Sequence, residues 1–262
     1  MQIIDIGANL GHASFQQDLP QILAKAQQAG VAHIIVTGTD LESSTTALAL
    51  ATKHPGFLSA TAGFHPHVAS RCDEAALADI RALCQNPAVV AIGETGLDFN
   101  RNYSPREDQL RVFEMHLALA AELQKPMFLH QRDAHKDFLN LLSNWRPQLT
   151  GGVVHCFTDS QEALTSYLNL DMYIGITGWV CDERRGTELQ RLLPQIPNNR
   201  LLIETDAPYL LPRSLQPPPT TRRNEPCYLP EILRTVAKCR DQEPDEVAVA
   251  TTANARALFG LS

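Results

Sequence analysis

The sequence predicts an α/β protein of the (β/α)8 barrel class, and three observations support this prediction. Short apolar runs rich in Val, Ile and Leu alternate with longer amphipathic stretches along the chain, which is typical of parallel strands buried on both faces. Eight such units occur in 262 residues, and a barrel of this class takes about 250 residues. The first turn, at 7–11, lacks the GxGxxG pattern of an open dinucleotide-binding sheet. We therefore expect one barrel domain over residues 1–262.

The strands are predicted at the apolar runs, and the helices at the stretches between and after them. The predicted strands are Ile3–Ile6, His33–Val36, Leu58–Ala62, Val89–Ile92, Met127–Leu129, Val153–Val154, Met172–Ile174 and Leu201–Ile203. Seven of the predicted helices are 41–53, 73–85, 134–144, 160–169, 184–193, 228–240 and 244–258. With the two helices described next, a helix follows every strand, as the barrel class requires.

Two further helices have recognisable ends. The first carries an apolar face over 15–26 and is expected to end at Gly30, because glycine readily adopts the left-handed conformation that ends helices. The other, over 104–120, is expected to begin with a capping box formed by Ser104 and Glu107. Both helices follow an apolar run and continue the alternation.

The segment 207–227 is predicted to be a long, stiff loop. It contains six prolines, and proline continues neither a helix nor a central strand. Loops of this length in compact domains usually carry function. We therefore expect a functional role for this segment.

Composition and charge narrow the class of protein. Hydrophobic residues make up 44% and charged residues 19% of the chain, which is typical of a folded domain. With 29 acidic and 22 basic side chains the net charge is −7, so a broad basic face that coats nucleic acid is excluded and any such contact must be local. No apolar run is long enough to span a membrane, and the first residues do not resemble a signal peptide. We expect a cytoplasmic monomer whose six cysteines are reduced.

Ionisable side chains end or follow five of the predicted strands. They are His65 and His67, Glu94, His130, His155 and Asp206. The carboxyl ends of barrel strands meet at one rim, where catalytic groups gather. Imidazoles and carboxylates together bind divalent metal ions, which activate water for hydrolysis. Any one of these residues could be an ordinary loop or core residue, but the repeated pattern favours a metal-dependent hydrolase.

Seven short motifs occur along the same chain. They are Gly-Phe-His-Pro-His at 63–67, Gly-Glu-Thr-Gly-Leu-Asp-Phe at 93–99, His-Gln-Arg-Asp-Ala at 130–134, His-Cys-Phe-Thr at 155–158, Gly-Ile-Thr-Gly at 175–178, Glu-Thr-Asp-Ala-Pro-Tyr-Leu at 204–210 and Arg-Asn-Glu-Pro at 223–226. In type and order they resemble the TatD family of metal-dependent deoxyribonucleases. The resemblance implies a TIM barrel of the amidohydrolase-like type that hydrolyses DNA phosphodiester bonds, often as a 3′→5′ exonuclease. It implies DNA, as single strands or duplex ends, as the partner, and no membrane.

The resemblance also implies roles for individual residues. Glu94 matches a bridging carboxylate ligand, and His130 and His155 match the paired imidazole ligands of one metal ion. Asp206 matches the carboxylate after the last strand, a further ligand and candidate general base. His65 matches a contact to the substrate phosphate or the leaving group.

The first strand departs from the family pattern. The family usually has a His-x-His pair where this chain has Gly7 and Asn9. Glycine has no ligand atom and asparagine offers only a weak carbonyl oxygen, so half of the remaining firm ligands are carboxylates. We therefore expect one well-defined metal position at Glu94, His130 and His155. A second position, near Asp206, is expected to fill mainly when substrate binds. Mg²⁺ is the expected ion, with Mn²⁺ or another divalent ion as alternatives.

Arginines near the predicted rim could contact a nucleic-acid backbone. Arg132 lies two residues past His130, so strand alternation directs it to the same side. There it could bind the scissile phosphate or pair with Glu94 or Asp98. Further candidates for phosphate contact or base stacking are Arg184, Arg185, Arg222, Arg223, Trp179 and Phe99.

The residues leave three functions open. The leading hypothesis is a metal-dependent deoxyribonuclease that acts on ends or single strands. A small-molecule amidohydrolase or esterase is the first alternative, because one barrel fold serves many chemistries. The second is a degenerate barrel that binds without catalysis, which only the missing first-strand histidines support.

Overall fold

The computed structural model describes residues 2–261 and contains one sheet in which each strand is hydrogen-bonded to the next in chain order. The strands are β1 Ile3–Ala8, β2 Val31–Val36, β3 Leu58–Ala62, β4 Val89–Asp98, β5 Met127–Arg132, β6 Gly152–Val154, β7 Tyr173–Ile176 and β8 Leu201–Ile203. All of their pairings are parallel. A parallel bridge between Ala8 and Ala207 brings β1 against the chain after β8 and nearly closes the sheet. The predicted (β/α)8 barrel class is confirmed.

Helices connect the strands, as the barrel class requires. They are α1 Leu19–Gln28, α2 Leu41–Lys53, α3 Glu74–Cys84, α4 Arg106–Leu123, α5 His135–Trp145, α6 Gln161–Asn169, α7 Thr187–Leu192, α8 Leu229–Arg240 and α9 Pro244–Phe259. Every predicted helix is present, and α2 has the predicted bounds because Asp40 caps its first turn by accepting the Ser43 N–H. The chain between β8 and Pro226 is the predicted irregular loop.

Two local predictions were wrong. The helix α4 begins at Arg106 without a side-chain cap, so the predicted capping box of Ser104 is absent. The Ser104 hydroxyl instead donates to the His67 carbonyl and accepts the Ser70 N–H, each at 3.1 Å, and so fixes the loop that carries His67. Strand β4 was expected to end at Ile92 but continues to Asp98, because its second half pairs with β5.

Apolar side chains fill one end of the barrel. Ile4, Ile35, Phe128 and Leu202 belong to an inner cluster, against which Phe259 of α9 packs. A second and larger cluster lies between the sheet and the surrounding helices. Since one end of the barrel is filled in this way, polar side chains gather at the carboxyl ends of the strands.

Two further predictions concern membrane spans and cysteines. Among residues 2–261, no helix combines the length and hydropathy that crossing a membrane would need. All six cysteines are free thiols, as expected.

Candidate metal centre

A cavity of about 1040 Å³ opens at the carboxyl ends of the strands. The predicted site residues that line it are His65, Glu94, His130, Arg132, His155 and Asp206. Glu94, His130 and Arg132 lie in the carboxyl-terminal halves of β4 and β5, and the other three follow β3, β6 and β8. The structure therefore brings every predicted site residue to one place, because the carboxyl ends of parallel barrel strands converge.

Three imidazoles surround a single oxygen of Glu94. Its Oε1 atom lies 2.8 Å from His155 Nε2, 3.0 Å from His130 Nδ1 and 3.2 Å from His65 Nε2. The glutamate side chain is only 6% exposed. A buried carboxylate among imidazoles offers donor atoms that suit a borderline or hard divalent cation.

The most compact group of ligand atoms differs from the predicted metal set. Atoms of His65, Glu94 and His130 all lie within 4.8 Å of one another, whereas the prediction took His155 in place of His65. The hydrogen bonds of the rings distinguish the two histidines. Nδ1 of His65 accepts the His67 N–H at 3.0 Å, so the proton of the neutral ring resides on Nε2, which then has no lone pair for a metal. His65 is thus arranged as a hydrogen-bond donor.

The ionisation of the cluster follows from burial and from its mutual charges. Burial lowers the pKa of His65 to about 4 despite the nearby Glu94, which keeps this ring neutral at neutral pH. Burial alone would raise the pKa of Glu94, but the charges of His155 and His65 and hydrogen bonds from the rings hold it well below its usual range. For His130 and His155 burial favours the neutral form, yet adjacent carboxylates raise both pKa values above the usual one. The centre therefore has a negative potential that attracts cations.

Sequence reasoning missed two carboxylates that lie behind the imidazoles. Asp98 Oδ2 lies 3.3 Å from His130 Nε2 and 2.7 Å from His67 Nε2. Glu204 Oε2 lies 3.4 Å from His155 Nδ1, and its Oε1 accepts the Cys156 N–H at 2.6 Å. Carboxylates in this position orient metal-binding histidines and increase their basicity. For Asp98 the signal was present in the sequence, because strand alternation places it, four positions after Glu94, on the same face of β4.

The two positions that depart from the family pattern are used for packing and orientation. A Cβ atom at Gly7 would lie 2.5 Å from Glu204 Oε2 and 2.9 Å from Phe128 Cζ. The space that a histidine would need is therefore taken by the carboxylate behind His155. Asn9 donates from Nδ2 to Asp206 Oδ1 at 3.0 Å and so orients that carboxylate. Burial, with the charge of Glu94 adding to it and His155 opposing it, raises the pKa of Asp206 to about 7.

The candidate phosphate contacts divide into free and occupied side chains. In the part of the chain that the structure describes, Arg132 is exposed and forms no ion pair with Glu94 or Asp98, whose oxygens face histidines instead. Arg185 also lines the cavity, but its Nε donates to Asp182 Oδ2 at 3.0 Å, so this guanidinium is partly occupied. Arg223, a further candidate for phosphate contact, is occupied, because Asp18 and Glu225 bind its guanidinium at 2.6 and 2.8 Å.

The aromatic candidates divide in the same way. Phe99 was considered for base stacking, but it is 8% exposed and the guanidinium of Arg106 lies 4.4 Å from its ring centroid. Trp179 lines the cavity. One face of its indole is covered by Arg185, also at 4.4 Å.

A (β/α)8 barrel with imidazoles and carboxylates converging at the carboxyl rim defines a class, the metal-dependent hydrolases with an amidohydrolase-like barrel. Comparison with known proteins identifies the family within this class. The family model described as TatD related DNase matches residues 4–260. The chain belongs to the TatD family.

Individual relatives agree with this assignment. The chain is 53% identical over 260 residues to a protein of Edwardsiella piscicida named 3′-5′ ssDNA/RNA exonuclease TatD, covering 99% of this chain and 100% of that one. A protein of Erwinia billingiae with the same name is 52% identical over 259 residues, covering 99% of each chain. Among solved structures, a TatD homologue from Escherichia coli superimposes with a TM-score of 0.90 at 29% identity, over 99% of this chain and 98% of that one.

Proposed function

We propose that this chain is a metal-dependent 3′→5′ exonuclease that hydrolyses phosphodiester bonds at the ends of DNA strands. The observation that carries the proposal is the convergence of three imidazoles on Glu94 Oε1 at the rim of a TatD-family barrel. The relatives named as single-strand DNA and RNA exonucleases support the reaction and its direction. A monomeric and cytoplasmic enzyme stays a prediction from the sequence.

The donor set suits a divalent cation, and we assign Glu94, His130 and His155 as the residues that would hold it. When bound, the cation would supply polarisation of the phosphate and a lower pKa for the attacking water. Asp206 would complete a second, weaker position. Because carboxylates are prominent among these residues, Mg²⁺ is the proposed ion and Mn²⁺ the first alternative.

The other residues around the centre have separate roles in the reaction. Asp206, oriented by the amide of Asn9 and with its pKa near 7, takes the proton from the attacking water. The Nε2–H of His65 donates a hydrogen bond to a phosphate oxygen or to the leaving oxygen. The exposed guanidinium of Arg132 stabilises the charge that develops on the phosphoryl oxygens.

Two observations favour a nucleic acid over the alternatives. Arg132 and Arg185 line the cavity together with the metal-ligand candidates, which suits a polyanion better than a small neutral ester. A non-catalytic barrel is disfavoured because the acid, base and ligand candidates are all present in one cavity.

The test is an assay of chelator-treated protein on end-labelled oligonucleotides. After addition of Mg²⁺ or Mn²⁺, a 5′-labelled single strand should yield a ladder that shortens from its 3′ end, and chelator should abolish the reaction. Blunt duplexes and closed circles serve as comparison substrates. Efficient nicking of closed circles, or hydrolysis that persists in chelator, would contradict the proposal.

A further inference from the structure

Two exposed tyrosines lie at the mouth of the cavity and have no role in the mechanism above. Among the described residues, the strongly exposed large apolar side chains are Tyr103, Tyr209 and Val249, which are 67%, 51% and 70% exposed. Both tyrosines line the cavity, whereas Val249 lies on α9. Both tyrosine rings are thus exposed where a ligand that enters the cavity would meet them.

The strand order places the two tyrosines on opposite sides of the mouth. Tyr103 lies in the loop after β4, and Tyr209 in the loop after β8. In an eight-stranded barrel that follows chain order, β4 and β8 are half a turn apart. A phosphate at the centre of the mouth would therefore have one tyrosine on each side.

Each tyrosine ring is held by an imidazole in a geometry that leaves ring surface free. The rings of His67 and Tyr103 meet at 78°, with centroids 4.8 Å apart. Those of His12 and Tyr209 meet at 75°, with centroids 5.9 Å apart. An edge-to-face contact of this kind covers at most one face of the tyrosine. Each ring is thus oriented and still able to stack on a flat partner.

We propose that Tyr103 and Tyr209 stack on the two bases that flank the scissile phosphate, and thereby select unpaired strand ends. The inference rests on the proposed exonuclease function and names the substrate feature that its site recognises. Base stacking on aromatic side chains tolerates any sequence, because every base has a π face. In a duplex the same bases are already stacked and paired, so a blunt end offers the tyrosines no free base face.

The test is a cycle that removes the ring and the base independently. Tyr103→Ala and Tyr209→Ala are compared with the corresponding Phe variants on a single strand and on the same strand without bases on its last two 3′ nucleotides. On the strand with bases, each Ala variant should lose about tenfold in kcat/KM and in equilibrium affinity, and each Phe variant should keep both. On the strand without bases, wild type and Ala variants should be alike. Val249→Ala, equally exposed but outside the cavity, is the control.

Duplex ends provide the second comparison. The ratio of single-strand to blunt-duplex hydrolysis should fall in both Ala variants, because only the single strand loses a stacking partner. An equal loss on strands with and without bases would overturn the proposal, as would Ala variants that bind like wild type. If wild type hydrolysed neither strand, the proposed function would fail. The affinities of wild type and Ala variants for strands with and without bases would still show whether the tyrosines stack on bases.

Discussion

Glu94 is the residue on which the ligand cluster depends, because its Oε1 atom faces three imidazole nitrogens. Its carboxylate offsets positive charge that would otherwise accumulate on His130 and His155 in a buried place. Replacing it by the isosteric glutamine removes that charge with little change in volume. Single-residue changes in this cluster therefore separate chemistry from folding.

Glu94→Gln should reduce hydrolysis more than about 100-fold, because a metal-binding carboxylate is lost while the barrel core is untouched. His155→Ala should have a similar effect. The rate on a single strand is measured beside the circular-dichroism spectrum and the melting temperature. A variant that keeps near wild-type rate would show that the site is misassigned, and variants that fail to fold would make these residues structural.

Glu204→Gln tests whether the carboxylate behind His155 is a positioning residue. The variant keeps an acceptor for the Cys156 N–H but loses the charge opposite His155 Nδ1. Affinity for Mn²⁺, measured by calorimetric titration, should fall about 10- to 100-fold. Glu183→Gln, at a side chain that is 66% exposed, is the matched control. Equal Mn²⁺ affinities in wild type and Glu204→Gln would assign this carboxylate to packing alone.

Single residues could be predicted where their place in a strand determines their role, but not where tertiary packing determines it. The six predicted site residues line one cavity, because position near a strand end is visible in the sequence. Glu204 was missed because its contact with His155 depends on the packing around Gly7. Phe99 was named as a stacking candidate because its burial under Arg106 cannot be read from the sequence.

At the scale of elements, β4 and β1 decide the geometry of the site. Strand β4 was predicted too short because Gly93 and Gly96 resemble strand ends. Both glycines instead allow β4 to approach β5 closely. A Cβ atom on Gly93 would lie 2.1 Å from the Phe128 carbonyl oxygen, and one on Gly96 would lie 1.9 Å from the His130 carbonyl oxygen. The other strand and helix bounds were predicted to within a few residues, since apolar periodicity determines them.

The contact between β1 and the chain after β8 predicts a pH-dependent stability. Asp5 is fully buried, accepts the N–H and hydroxyl of Thr205, and has its pKa raised by burial from 3.8 to about 7. Between these two pKa values the folded state binds one proton more than the unfolded state, so the contribution of Asp5 to stability falls as pH rises towards 7. Asparagine cannot lose a proton in this range.

Asp5→Asn should therefore gain stability relative to wild type as pH rises, by about 1–3 kcal/mol across the range. The measurement is the free energy of unfolding by urea at a series of pH values from about 4 to about 8, for both proteins under the same conditions. The difference between the two proteins cancels the titration of other groups. A difference that does not vary with pH would show that Asp5 is ionised throughout.

For the whole molecule, the net charge of −7 limits how nucleic acid binds. Of the arginines considered at the rim, Arg223 is held by two carboxylates and Arg185 by Asp182. Arg132 and Arg185 line the cavity. Arg101 is a further exposed lining residue. The phosphate contacts are therefore few and concentrated at the mouth.

Binding of a single strand should accordingly depend only weakly on salt. Two to four phosphate contacts give a slope of about −1.5 to −3 for the logarithm of the affinity against the logarithm of the salt concentration. Fluorescence anisotropy of a labelled strand over a salt series measures the slope. A value near about −10 would require a broad basic face and would contradict the account.

The most direct test of the metal centre is anomalous diffraction from crystals grown with Mn²⁺, recorded at a wavelength that distinguishes this ion. We expect one strong peak in the cavity, ligated by Glu94, His130 and His155, with His65 outside its ligand shell. A weaker second peak beside Asp206 should strengthen when an oligonucleotide is bound. A cavity without a peak, or an ion held through Nε2 of His65 in place of His155, would contradict the assignment.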